Sequence, residues 1–290
     1  MAEYYAVRFV SFLACLLPRK VADAIGTFLG TILWWGVPKW RKTMAVENVM
    51  SCLGVDRREG VRIAKASAVR LGPMFMEVFR FSVIKDHMEE YVTIEGAEYL
   101  KQALGRNGGK GGILAAAHSG NWELLGGALA QAGFPLVGVA KKQKEAGFNK
   151  FINEQRSLIG MHITYRTDVR EMYDMLMKGW FIGLIMDQDV TRHDGIVLEF
   201  FQRPTNCATG AASMARFKKV PIFPTFVHRG VDGKHRIRIL PPIYTERTKD
   251  RRGDIRKATQ EIVRLTEEHI RRYPEEWFWL HDRWKSMRDD

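Results

Sequence analysis

The chain has 290 residues, 46% of them hydrophobic and 27% charged. That is enough apolar material for a sizeable core and too much for a disordered chain. Lys and Arg exceed Asp and Glu by 45 to 33, a formal charge of +12, so an anionic partner is expected: nucleic acid, anionic lipid or an acidic protein. The three cysteines, Cys15, Cys52 and Cys207, stand too far apart for a zinc ribbon, a CxxC redox motif or a disulfide scaffold, and suit a reducing compartment.

Tyr4 to Leu17 is apolar apart from Arg8. Pro18-Arg19-Lys20 breaks it, and Val21 to Val37 is a second apolar stretch with one charge, Asp23. Leu33-Trp34-Trp35 then leads into Pro38-Lys39-Trp40-Arg41-Lys42. Neither stretch cleanly reaches the roughly 20 apolar residues of a spanning helix. A basic start and a small-residue cleavage site, the marks of a signal peptide, are missing. Tryptophans beside Lys and Arg match an interfacial belt. Residues 1–45 are therefore expected to anchor the protein to a membrane, either crossing once with tilt or lying in the interface. The alternative is a pair of soluble amphipathic helices packed on the body. The basic residues that follow favour the cytoplasmic side for residues 46–290.

Arg57 to Phe81 sets Val61, Ala64, Ala68, Leu71, Phe75 and Val78 three or four apart, which predicts one helix with a buried face, kinked at Pro73. From residue 91 the texture changes. Apolar runs at Tyr91–Ile94, Ile113–Ala117, Leu136–Val139, Phe181–Met186, Ile222–Val227 and Arg236–Leu240 read as strands. Between several of them lie helical patterns, at Ala97–Leu104, Asn121–Ala132, Phe148–Ile159, Val169–Met177 and Ala208–Phe217, with a last one at Asp254–Arg272. Such alternation predicts an α/β fold with a largely parallel central sheet flanked by helices.

The chemistry concentrates at Gly111 to Leu125. A glycine pair opens an apolar strand that ends at His118, and a polar turn leads to a helix with Glu123 in its first turn. Ligands of open α/β sheets bind beyond the carboxyl ends of strands, where His118 falls. On one continuous helix His118 and Glu123 would stand about 140° apart. With His118 in the turn before the helix, the chain can fold Glu123 back to the imidazole, fix its tautomer and free the other nitrogen to take a proton. The helix start also offers N–H groups to an anion or a developing oxyanion. The competing reading is a buried structural histidine beside a capping glutamate. A zinc site is not expected, because neither HExxH nor another histidine pair at helical spacing occurs.

The string His118-Ser119-Gly120-Asn121-Trp122-Glu123 resembles the His-x4-acid signature of the bacterial lipid A late acyltransferases, within the wider glycerolipid acyltransferase superfamily. Other segments resemble that family in the same order: Gly96-Ala97-Glu98-Tyr99-Leu100, Arg156 with Gly160, Asp187-Gln188-Asp189 after an apolar strand, Phe200-Phe201 through Thr209-Gly210, and Pro274-Glu275-Glu276-Trp277-Phe278-Trp279. Gln202 stands where the family usually has Gly, Cys207 where it has Thr, and Lys141-Lys142 where it often has Arg.

The resemblance implies transfer of a fatty acyl chain from acyl carrier protein to a hydroxyl of a glycolipid, most directly a lipid A precursor, at the cytoplasmic face of the inner membrane and without a cofactor. His118 is then the general base and Glu123 its orienting acid. Asn121, Arg156, Asp187 and Asp189 are candidates for holding substrate. Arg156 would grip a phosphate or the oxyanion, with a solvated helix arginine as its alternative. Asp187 and Asp189 would orient Arg156 or a sugar, with a turn or capping role as theirs. Ser119 reads as a turn or capping hydroxyl and not a nucleophile. Met172, Met175, Met177, Met186 and Phe181 are candidates for an acyl cleft, against plain core packing.

Basic residues concentrate in two stretches. Residues 216–256 hold twelve Lys/Arg against four Asp/Glu, and residues 141–170 hold seven against three. Both suit an acidic carrier protein or anionic lipids. Rival readings are acylation of a lysophospholipid or a mannosylated inositol lipid, a thioesterase, and a basic membrane-surface or nucleic-acid-binding protein. No nucleic-acid-binding motif appears, so no nucleic-acid partner is expected.

Overall fold

The structure is a computed structural model that describes residues 1–288. Seven helices come first: α1 (Ala2–Leu16), α2 (Arg19–Gly36), α3 (Lys39–Leu53), α4 (Arg57–Val69), α5 (Leu71–Phe79), α6 (Phe81–Ile84) and α7 (Met88–Tyr91). Pro18 and Pro38 sit at the N-caps of α2 and α3, where a missing N–H costs nothing. Asp56 caps α4 by accepting from the Glu59 N–H at 2.8 Å. The single helix expected over 57–81 is two helices. The chain breaks at Arg70, and Pro73 falls in the first turn of α5, where its lack of a donor is tolerated.

The remainder alternates as β1 (Val92–Glu95), α8 (Ala97–Arg106), β2 (Ile113–Ala116), α9 (Trp122–Gln131), β3 (Leu136–Ala140), α10 (Ala146–Leu158), β4 (His162–Tyr165), α11 (Val169–Met177) and β5 (Phe181–Ile185). Then follow β6 (Gly195–Phe200), β7 (Arg203–Ala208), α12 (Gly210–Lys218), β8 (Ile222–Arg229), β9 (His235–Ile239) and α13 (Arg251–Arg272). Seven strands form one sheet in the order β1-β9-β8-β2-β5-β3-β4, and β6 with β7 makes a separate ribbon. Every pairing in the large sheet is parallel except β8 with β9. Buried apolar residues cover both faces of the sheet, as parallel strands require.

Three strands carried no readable signal. His162-Ile163-Thr164-Tyr165 is a short edge strand with no apolar run. The β6–β7 hairpin turns through Phe201 and Gln202, both at positive φ (52° and 58°). Two-residue hairpin turns of this hand favour glycine there, which gives a physical reason for the Gly usual at position 202 in the family that the sequence resembles.

The N-terminal helices pack on the body through one side only. On α2, Gly26 and Gly30 approach the α4–α5 junction so closely that a Cβ at Gly30 would lie 2.0 Å from the Val69 carbonyl oxygen. Tyr4 donates to Glu154 on α10 at 2.8 Å, and Arg229 pairs with Asp23 at 2.6 Å. The opposite side is apolar and open: Tyr5, Phe9, Phe12, Leu16, Phe28, Ile32, Trp35 and Trp40 are all exposed. No single described helix is long and apolar enough to cross a membrane; α2 and α3 pass that test only together, across a 105° bend. Residue 45 lies inside α3.

Candidate active site

Strands β2 and β5 are parallel neighbours with Ala116 opposite Ile185. His118 and Asp187 each stand two residues beyond those positions, so the register brings them to the same height on adjacent strands. The Asp187 carboxylate reaches His118 twice. Oδ1 lies 2.8 Å from the ring Nδ1, and Oδ2 accepts from the His118 backbone N–H at 3.1 Å. Oδ2 also accepts from the Trp277 indole N–H at 2.6 Å. Asp187 keeps 2% of its side chain exposed and His118 keeps 22%, so the acid is sealed and the imidazole is reachable. Burial alone would raise the Asp187 carboxyl; the His118 charge and hydrogen bonds, with the Trp277 donor, outweigh it and hold the group below the usual carboxylate range.

The acid expected to orient His118 was Glu123, and here the structure corrects the sequence reading. Glu123 gives both its oxygens to Arg156, which donates from Nε at 2.7 Å and from Nη2 at 2.6 Å. Glu123 opens α9 and Arg156 lies in the last turn of α10, so α9 carries the carboxylate toward its neighbouring helix and away from the ring before it. Burial would lower the Arg156 guanidinium, but Glu123 raises it, so the arginine keeps its charge. Arg156 thus meets a protein carboxylate, with its side chain 14% exposed.

Two substrate-holding candidates have structural work instead. Asn121 is 1% exposed. Its Oδ1 caps α9 at the Leu124 N–H (3.0 Å) and its Nδ2 donates to buried Glu77 (2.7 Å), so both ends of the amide are engaged behind the turn. Asp189 accepts from the Ser286 N–H (2.9 Å) and hydroxyl (2.7 Å) and faces Arg283 at 3.6 Å; it ties down the C-terminal tail. Asp187 orients neither Arg156 nor an open sugar site, but His118.

Ser119 is also buried, its hydroxyl 2.8 Å from His269 Nε2, and the helix cap is supplied by Asn121. Of the acyl-cleft candidates, Phe181 and Met172 are core residues on separate clusters, and Met177 is exposed. The His118 ring meets Trp122 edge-on, with centroids 5.0 Å apart.

Sequence reasoning missed the groups that hold the turn. Half-buried Arg70 donates to the Gly120 carbonyl (2.8 Å) and the Glu275 carbonyl (3.0 Å). Glu77 accepts from both Asn121 and His235 (2.9 Å). Burial works against the Glu77 carboxylate, yet His235, Arg229 and Asn121 hold it ionised. Trp277 lay within an aromatic, sharply punctuated string, Pro274 to Trp279, to which sequence reasoning assigned no role.

Chemically the site offers one partly exposed imidazole whose Nδ1 is tied to a buried carboxylate, next to the start of a helix. That suits proton transfer at Nε2.

The model of the family described as bacterial lipid A biosynthesis acyltransferase matches residues 1–286. A phosphatidylinositol mannoside acyltransferase of Mycolicibacterium smegmatis is 28% identical over 230 residues, covering 77% of this chain and 72% of the relative. A protein of the same name from Mycobacterium tuberculosis is 27% identical over 229 residues, covering 76% and 69%. A solved 1-acyl-sn-glycerophosphate acyltransferase of Thermotoga maritima covers 87% of this chain and 98% of its own, at 14% identity and a TM-score of 0.39. With all but the last few residues matched, the chain belongs to the bacterial lipid A biosynthesis acyltransferase family and is an acyltransferase.

Proposed function

We propose that this acyltransferase moves a fatty acyl chain from an acyl carrier protein thioester to a sugar hydroxyl of an anionic glycolipid, at the cytoplasmic face of the inner membrane. The observation that carries the reading is the His118–Asp187 pair at the open edge of β2 and β5. His118 Nε2 takes the proton of the acceptor hydroxyl, whose oxygen attacks the thioester carbonyl. Asp187 stabilises the imidazolium. The tetrahedral intermediate collapses with loss of the C–S bond, and His118 returns the proton to the departing thiolate. No acyl-enzyme is required. The positive end of the α9 dipole, which begins four residues after His118, favours the developing oxyanion. General base catalysis contributes about 10²–10⁴ in rate, and holding two substrates together contributes more.

The open apolar side of α1 and α2, flanked by Trp35, Trp40, Arg41 and Lys42, supports an anchor that lies in the membrane interface, which would bring the lipid acceptor to the site. Exposed Arg247, Lys249, Arg251 and Arg252 at the start of α13 support docking of an acidic carrier protein. The family description favours a lipid A precursor as acceptor; the names of the two relatives favour a mannosylated inositol lipid as the second reading.

The test is to incubate the purified protein in mixed micelles with acyl carrier protein or coenzyme A thioesters and either acceptor, and to follow lipid mass. A gain of one acyl chain that is lost in His118→Ala is the expected result. Free fatty acid as the sole product would replace transfer by hydrolysis, and undiminished turnover in His118→Ala would remove the assigned base.

A further inference from the structure

We propose that Trp277 is a positioning residue of the acyl transfer: a strap formed by residues 274–279 is pinned to the His118 turn, so that the Trp277 indole N–H orients the Asp187 carboxylate against the imidazole. This rests on the proposed role of His118.

Asp187 has two oxygens with distinct duties. Oδ1 faces His118 Nδ1, while Oδ2 takes the Trp277 indole N–H at 2.6 Å and the His118 backbone N–H at 3.1 Å. With two donors converging on Oδ2, rotation of the carboxylate is opposed and Oδ1 stays aimed at the ring. A buried carboxylate with its charge so shared keeps the proton on Nδ1 and leaves Nε2 open as the base.

The donor arrives from 90 residues downstream, yet its position is set by the same turn that carries the base. The Gly120 N–H donates to the Glu276 carbonyl at 3.0 Å and the Phe278 N–H to the His118 carbonyl at 3.0 Å, closing an antiparallel bridge between Ser119 and Trp277. Arg70 joins the two strands of this bridge from behind, at Gly120 and Glu275. The indole is 2% exposed and packs against Trp279, ring centroids 4.6 Å apart, and Phe200 at 5.8 Å.

Packing by itself does not call for the nitrogen, since a benzene ring would serve the same aromatic contacts. Nor does this fold supply every buried indole with an acceptor: the Trp284 N–H, in the same cluster, has none among the described residues. The Trp277 N–H meets the one carboxylate that holds the base.

The experiment compares wild type with Trp277→Phe and with β-(3-benzothienyl)alanine installed at 277, which keeps the bicyclic shape and replaces N–H by sulfur. Histidine ring ¹⁵N shifts, assigned with His118→Gln, report the His118 tautomer. Acyl transfer reports kcat and KM for the thioester. In both variants the ring moves from the Nδ1–H tautomer towards a mixture. kcat falls about tenfold or more, the equivalent of one hydrogen bond to a charged group. KM holds, because Trp277 touches no substrate.

Wild-type ring shifts and kcat in the benzothienyl protein would overturn the proposal, even if Trp277→Phe fails to fold. A shifted tautomer alongside full activity in His118→Ala would uphold the contact and overturn its use in acyl transfer.

Discussion

Replacing Asp187 by Asn keeps the shape of the side chain and removes its charge, and the outcome can be worked out atom by atom. One oxygen position receives two fixed N–H donors, from His118 and Trp277; an amide NH₂ placed there would face both. The amide oxygen must therefore take that position, which turns the NH₂ toward His118 Nδ1. Nδ1 becomes an acceptor, the ring proton moves to Nε2, and the base is lost. Where an aspartate orients a catalytic histidine in acyl transfer, a wrong tautomer of this kind costs about 10⁴-fold in kcat. Folding should be nearly unaffected, since the two buried donors keep an acceptor. Asp187→Ala differs: it strands both N–H groups, at about 1–3 kcal/mol each, or about 2–6 kcal/mol of stability. The assay is acyl transfer from a thioester donor with thermal unfolding alongside. Asp187→Asn with kcat within about tenfold of wild type would refute the orienting role.

Three further outcomes are expected. Arg156→Ala leaves the Glu123 carboxylate partly buried without its guanidinium and should destabilise the fold by about 3–5 kcal/mol; urea unfolding of the double-mutant cycle should recover part of that in Glu123→Ala/Arg156→Ala, and strict additivity would rule out the pairing. His269 is pushed down to about 3 by burial, helped by the charges of His228, Arg238, Arg70 and Arg272. Its folded value lies below its unfolded one, so below about pH 6.5 the unfolded chain binds a proton that the native state does not. Stability should thus fall as the pH drops from about 6.5, by up to about 1.4 kcal/mol per unit, and His269→Asn should flatten that slope in unfolding titrations from pH 7 to 4. Phe28→Ser with Trp35→Ser removes two side chains exposed by 64% and 72%; at about 1.5–3 kcal/mol per buried aromatic, binding to anionic vesicles should drop at least about tenfold with little change in melting temperature. Undiminished sedimentation with vesicles would exclude this face as the membrane contact.

Much of the architecture follows from local pattern alone. An apolar run such as Ile113–Ala116, buried throughout, announces itself without a partner, and helices with a strong three-four repeat do so as well. β4 and the β6–β7 hairpin do not, because their stability comes from neighbours and turn geometry, not from an apolar run. His118 was legible for a local reason: the chain passes from strand to helix at that point, and the carboxyl edge of a sheet is where ligands meet side chains.

Its partner was not legible. Glu123, five residues away, was the nearest acid in sequence, and it belongs to Arg156. Asp187 lies 69 residues on and meets the ring because β2 and β5 run parallel, side by side and in a register that matches Ala116 with Ile185. Strand order and register are set by crossovers and by packing of the whole sheet, so no window of sequence contains them. The sequence by itself determined which histidine stands at the sheet's carboxyl edge, the class of fold and the apolar N-terminus; the tertiary structure alone decided which acid meets that histidine and which carboxylates bond elsewhere in the frame, because hydrogen bonds form between groups near in space whatever their separation along the chain.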